Sequence, residues 1–249
     1  MITLKKPHLG LATLITAITF SLSACGKVGP LETDDLGPGA DSIDAMDVGK
    51  PNYVPPQSGD VPVLSNKEKD MILKNYQHLD PNHIVPTKML TEAVLYYDVN
   101  KATFPNHNYI SVINFSISST KPRFFIINLK TGEVWAIHVA HGYGSDPNND
   151  GLATTFGNAE GSGKSSLGFY RISETYQGKY GLSARHDGLS KTNSNVRKRV
   201  VVLHGSNYVH ESNVKQGRSA GCTAIPMPIK DKVVHLLSGG SLLYASINH

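Results

Sequence analysis

Polar and apolar positions along the chain divide it into a helical part followed by a strand-rich part. Ser65-Asn66-Lys67-Glu68 is a capping box, in which hydroxyl and carboxylate satisfy the first free N–H groups of a helix. Behind it, Met71, Ile72, Tyr76 and Leu79 recur at helical spacing. Pro86 opens a second such pattern through Leu90, Ala93, Val94 and Tyr97, so two amphipathic helices precede the sheet. Strand-like runs follow at 109–115, at 124–129 and, after a Thr131-Gly132 turn, at 134–140. Shorter runs at 168–172, 200–203 and 241–246 are separated by loops dense in Gly, Ser and Asn. No segment repeats. The pattern predicts a mainly β domain with a few helices, an α+β fold.

The first 25 residues differ in kind. Lys5 and Lys6 lead into an apolar run from Leu9 to Leu22 that is short for a bilayer span and reads as a signal peptide. It ends in Leu22-Ser23-Ala24-Cys25-Gly26, which resembles the lipobox of bacterial lipoproteins. That resemblance implies lipid on Cys25 and a membrane anchor. The absence of aspartate after the cysteine favours an outer-membrane anchor, and hence a periplasm-facing protein of the cell envelope. Residues 26–60 are rich in Pro, Gly and Asp, lack a sustained period, and read as a disordered tether. A flexible chain of that length has a root-mean-square span of about 30–35 Å. The organisation expected is therefore signal peptide 1–25, tether 26–60, helical segment 61–104 and catalytic domain 105–249.

Charge refines this picture slightly. Removing the two signal lysines and the tether's net −5 from the formal +4 leaves +7 on residues 61–249, which suits an acidic polymer. The interleaved aromatic and basic residues of a nucleic-acid reader are missing, and a lipobox argues against that function.

Cysteine use is more informative. With Cys25 lipidated, Cys222 has no partner for a disulfide in an oxidising compartment. Its neighbours, Gly217-Arg218-Ser219-Ala220-Gly221-Cys222-Thr223, are small and polar, which suits a reactive thiol better than a packed one. Such a turn can aim backbone N–H groups beside the sulfur, with Gly221 and Cys222 as oxyanion donors. Eighteen positions earlier, His204-Gly205 closes the apolar run Val200-Val201-Val202-Leu203, where a rigid strand can present an imidazole as general base.

His204-Gly205 and Ser219-Ala220-Gly221-Cys222 together resemble the HG…SxGC signature of YkuD-type L,D-transpeptidases. Papain-like peptidases place the cysteine before the histidine, opposite to the order here. The likeness extends through Ala140-His141-Gly142, Lys164 to Tyr170 and Gly217 to Pro226, covering about residues 87–244. It implies a β-sandwich-like catalytic domain, with the carbonyl of Gly205 orienting His204 in place of an acidic third residue. It also implies peptidoglycan stem peptides as substrate and no cofactor. The small Ala220 stands where the family often has a larger residue or histidine. Candidates to bind the stem are Arg218, Ser166, His141, Arg185 and Tyr176, with Lys164 beside Ser166.

Three other signals carry less. Asp146-Pro147-Asn148-Asn149-Asp150-Gly151 imitates half of a calcium loop, but its twelfth position is Gly157 rather than glutamate. Gly163-Lys164-Ser165 lacks the first glycine of a phosphate loop, which falls at Asn158. His138 and His141 fall on opposite faces of an ideal strand, so no shared metal is expected. The resulting expectation is a cysteine L,D-transpeptidase that joins stems to one another or to a wall-attached protein. A carboxypeptidase or amidase using the same Cys/His pair, and a noncatalytic wall-binding lipoprotein, are the alternatives.

Overall fold

The computed structural model describes residues 61–247. The signal-like segment, Cys25 and the Pro/Gly/Asp-rich stretch lie outside them. Helix α2 (Thr87–Val99) stands where the apolar periodicity puts it, whereas helix α1 (Asn66–Lys74) ends before Tyr76 and Leu79, the last two residues of its pattern. Ser65 and Glu68 close the predicted capping box: the Glu68 N–H donates to Ser65 Oγ at 3.3 Å, and Glu68 Oε2 accepts from the Ser65 N–H at 2.8 Å. No α1 side chain is fully buried. α2 buries Met89, Ala93, Val94, Leu95, Tyr96 and Tyr97, more than one stripe, because it lies under α1 and against the sheet.

Eight strands form one sheet: β1 (Tyr109–Asn114), β2 (Phe124–Asn128), β3 (Val134–Ile137), β4 (Gly168–Gly178), β5 (Gly181–Gly188), β6 (Val202–Ser206), β7 (Thr223–Pro226) and β8 (Ser241–Ser246). Their order is β3-β2-β1-β8-β4-β5-β6-β7. A third helix, α3 (Lys230–Leu237), carries the chain from β7 at one edge back to β8 in the middle. Alternation along the strands sorts side chains to two faces. Phe125, Ile127, Phe169, Leu242 and Tyr244 meet α2, while Phe124, Ile126, Ile172, Leu243 and Ala245 enter a second core. Three rings tie α2 to the first face, Tyr96 stacking on Phe169 at 3.8 Å and Phe169 on Tyr244 at 4.3 Å.

The second core draws residues from all eight strands and from α3, because the sheet curls until its edges nearly meet. Beyond β3 the Ala140 N–H donates to Ala224 of β7 at 2.9 Å. The Ser219 N–H donates to His141 O at 2.9 Å, and the Tyr143 N–H returns to Ser219 O at 2.7 Å. The mainly β fold with helices is therefore observed, as one nearly closed sheet.

Several boundaries differ from expectation. The run 134–140 leaves the sheet after Ile137, where the His138 N–H turns to Glu211 Oε1 at 3.1 Å. Val200 is not in a strand: its φ is +54°, and β6 begins at Val202 and contains His204 and Gly205. β4 continues six residues past Ile172 and pairs with β5, which was not foreseen. The polar sequence of this hairpin has no apolar alternation; cross-strand pairs such as Arg171 with Asp187, 2.8 Å apart, hold it instead.

His186 of β5 lies in the second core beside Tyr170, and among the described residues neither ring nitrogen has a hydrogen-bond partner. Burial lowers its pKa to about 3. Burial, together with the Arg123 charge, lowers that of His141 to about 4, against the opposing pull of Asp146. An imidazole that titrates lower when folded favours folding fully above its unfolded pKa of about 6.5, and that contribution is lost as pH falls. We expect the denaturation midpoint to drop steadily from pH 7 to pH 4. A His186→Leu protein, followed by urea unfolding over the same range, should show a shallower decline.

Candidate active site

β6 and β7 run parallel, with Leu203 beside Thr223 and His204 beside Ala224. One step back along this ladder sets Cys222 beside Val202, so strand parity gives Cys222 and His204 the same face of the sheet. An ideal ladder separates their Cα atoms by about 8 Å. Both are buried, Cys222 to 4% exposure and His204 to 1%. The carbonyl of Gly205 accepts from His204 Nδ1 at 2.9 Å. A carbonyl only accepts, so Nδ1 carries the proton and Nε2 keeps the basic lone pair. The ring of Tyr180, at the β4–β5 turn, stacks on the imidazole at 4.9 Å. Gly205 is required for space: a methyl group there would sit 2.6 Å from the Lys230 stem.

Cys222 is held from both sides. Its Sγ lies 3.6 Å from the carbonyl of Val200, within reach of a sulfur hydrogen bond. Val200 aims that carbonyl by adopting a left-handed conformation that a β-branched residue rarely enters, at a cost of about 1–3 kcal/mol. On the other side, Ser219 Oγ donates to Cys222 O at 2.8 Å and accepts from the Gly221 N–H at 3.1 Å. That last bond amends the expected oxyanion arrangement, because the Gly221 amide is already used in folding the loop. Gly221 has φ +121°, and a side chain there would press on Lys164 O at 2.7 Å.

Arg199 joins this loop to its neighbour. Its guanidinium donates to Gly157 O at 3.1 Å, Ser166 Oγ at 2.8 Å and Lys164 O at 2.6 Å. Sequence reasoning missed Arg199, Tyr180 and the conformation of Val200. The first two carry no motif, and a β-branched residue signals a strand.

The other candidates separate into three groups. Ser166 is 2% exposed, and its hydroxyl both donates to Gly157 O at 2.7 Å and accepts from Arg199, so it serves the scaffold. His141, 1% exposed, lies between Arg123 Nη2 at 2.8 Å and Asp146 Oδ2 at 3.1 Å. Arg218 donates to Asp146 O at 2.6 Å. Asp146 closes its own turn, its carboxylate accepting from the N–H groups of Asp150 and Gly151 at 3.1 and 3.0 Å. Although burial opposes ionisation, those donors and His141 hold its pKa below the usual value. The calcium-like spelling thus describes a self-capped turn. Arg185 and Tyr176 lie on the β4–β5 hairpin, on the same sheet face as His204, and Ala220 is half-exposed.

A strand histidine and a cysteine at the mouth of the next parallel strand thus share one face of a curled β sheet. The family model of the L,D-transpeptidase catalytic domain matches residues 81–246, and the chain belongs to that family. The match begins ahead of α2, so this helix lies inside the family's extent.

Among solved structures, the LD transpeptidase LdtMt1 in complex with imipenem is 12% identical, with a TM-score of 0.35 over 56% of this chain and 59% of that one. An L,D-transpeptidase from Mycobacterium smegmatis is also 12% identical, with a TM-score of 0.34 over 56% and 58%. One from Xylanimonas cellulosilytica is 12% identical, with a TM-score of 0.34 over 80% of this chain and 100% of that one. The chain spans less than two thirds of the first two. Among curated proteins, none matches it.

Replacing Ser219 by alanine leaves a buried carbonyl and a buried N–H without their partner, a loss of about 2 kcal/mol. For a domain of this size that corresponds to a Tm lower by about 4–8 °C, measurable by calorimetry.

Proposed function

We propose that this protein is a peptidoglycan L,D-transpeptidase that works through a Cys222 thioester on tetrapeptide stems, held at the periplasmic face of the outer membrane by lipidated Cys25. The observation that carries this reading is the bond from His204 Nδ1 to Gly205 O. It leaves Nε2 as the proton acceptor, on the face of the sheet that Cys222 shares.

In the proposed cycle, His204 Nε2 takes the thiol proton and Cys222 Sγ attacks the carbonyl of the third stem residue. The tetrahedral oxyanion is held by the Cys222 N–H, together with the Gly221 N–H once the latter yields its bond to Ser219. Collapse breaks the C–N bond to the terminal D-alanine, whose amine leaves with the proton from His204. The S–C bond remains as a thioester. An amine of a second stem, or of a wall-attached protein, then attacks the thioester carbonyl. It gives its proton back through His204 to the sulfur and forms the new amide. Tyr180, stacked on the imidazole, holds the ring in plane through both proton transfers.

Incubation with a purified tetrapeptide muropeptide, read by intact-protein mass spectrometry, should show wild-type protein heavier by the acyl tripeptide stem, followed by cross-linked product. Cys222→Ala should give neither, and His204→Ala should slow acylation by about 100- to 10,000-fold. Cross-links formed by the Cys222→Ala protein would refute the proposal. A product mass of free tripeptide stem would assign the thioester to water instead of an amine.

A further inference from the structure

Three arginines crowd the outer face of the β4–β5 hairpin, and two carboxylates answer them. Asp187 takes Arg171 at 2.8 Å and Arg197 at 3.1 Å, and also accepts the hydroxyl of Ser173. Glu174 takes Arg197 at 2.5 Å. Arg185 is left with Glu174 Oε1 at 3.7 Å from its Nε, and among the described residues its guanidinium makes no hydrogen bond. Its planar head lies over the Tyr176 ring at 4.5 Å, and the side chain is 22% exposed. A fork of N–H donors, held flat by an aromatic ring and short of partners, is built for a planar anion.

Register places Arg185 two strands from the thiol on the same face of the sheet. Arg185 pairs with Val202, and Val202 lies beside Cys222 one step back along the next ladder. Arg185 and Cys222 therefore flank one strand on one face, two strand spacings or about 10 Å apart at Cα. The Arg185 guanidinium lies on the β4 side, over Tyr176 and near Glu174, so the donor stem would span the distance to the thiol. The turn of the same hairpin supplies Tyr180, which stacks on His204, so the hairpin forms one wall of the site.

We propose that Arg185, propped by Tyr176, is the residue that recognises a carboxylate of the donor stem and sets the scissile carbonyl over Cys222. This rests on the reading of Cys222 as the nucleophile for an acidic peptide. Two carboxylates share the chemistry: the terminal one of the leaving residue, and one on the side chain of the third residue. Glu174 is the internal competitor that the substrate displaces from Arg185.

Cys222→Ala protein, which binds without acylating, is titrated calorimetrically with the tetrapeptide, its C-terminal amide and its side-chain amide. Adding Arg185→Gln should weaken binding of the free acid by about ten-fold or more, with Arg185→Lys intermediate. One of the two amides should be insensitive to Arg185→Gln, and its identity names the carboxylate. Glu174→Gln, at a largely exposed position, should tighten binding of the acid and serves should Arg185→Gln fail to fold. The proposal is overturned if Arg185→Gln leaves acid binding unchanged or weakens acid and both amides alike, if Glu174→Gln fails to tighten it, or if Cys222→Ala protein binds no stem. Thioester formation by the wild-type protein, read by mass, judges the Cys222 reading separately.

Discussion

Closure of the curled sheet is the constraint on which the site depends. The backbone from Ala140 to Tyr143 pairs with Ser219 and Ala224, and these few hydrogen bonds fix the segment that contains Cys222. A cysteine at a free sheet edge would sit on a fraying strand. Here it sits between an interior ladder with β6 and the returning chain beyond β3, so its backbone is held from two directions. Positioning of this kind is what a nucleophile needs if it is to meet a carbonyl at a fixed angle.

The closing segment is itself held by buried charge. Arg123 is 0% exposed, with its guanidinium bonded to Val139 O, Ile117 O and His141. His141 passes the contact on to Asp146, whose turn is pinned in addition by Arg218. Burial lowers the Arg123 pKa to about 9 despite the opposing charge of Asp146. A chain of polar groups this deep is tolerated because nearly every donor and acceptor is used, and it specifies one arrangement of the loops where an apolar core would accept several. His141 resembles part of the family signature and sits next to the cysteine loop, yet its work is to hold the edge strands together.

How far this was legible in the sequence follows from what each residue signals locally. The capping box at Ser65 read correctly because its contacts are local, and the helical spacing of α2 and the apolar runs of β1, β2 and β8 because burial itself created those patterns. That His204 and Cys222 come to one face of the sheet agrees with the order and spacing read in the sequence, and the Gly205 carbonyl bond is the one the resemblance implied. The β4–β5 hairpin was not: its outer surface is polar, and its stability comes from ion pairs between residues sixteen apart, such as Arg171 and Asp187. Val200 was misplaced for the opposite reason, since strand propensity is strong at a valine and tertiary contacts overrode it. Arg185 and Tyr176 were legible only as residue types; their stacking depends on the hairpin register.

The burial of Cys222 and His204 bears on what the proposed chemistry can select. Cys222 and His204 expose almost nothing, so water has little standing access to a thioester formed there. On the proposed reading, an acyl acceptor would arrive with binding energy of its own, which a second stem or a protein amine brings more of than water does. The wall that it would pass is the β4–β5 hairpin, whose ion pairs are half-exposed and whose turn touches the His204 imidazole through Tyr180. Half-exposed ion pairs rearrange at little cost, whereas the closure behind the thiol is buried and fixed. The proposed site thus combines a rigid back wall, which would set the angle of attack, with a polar front wall that could adjust to a bound peptide.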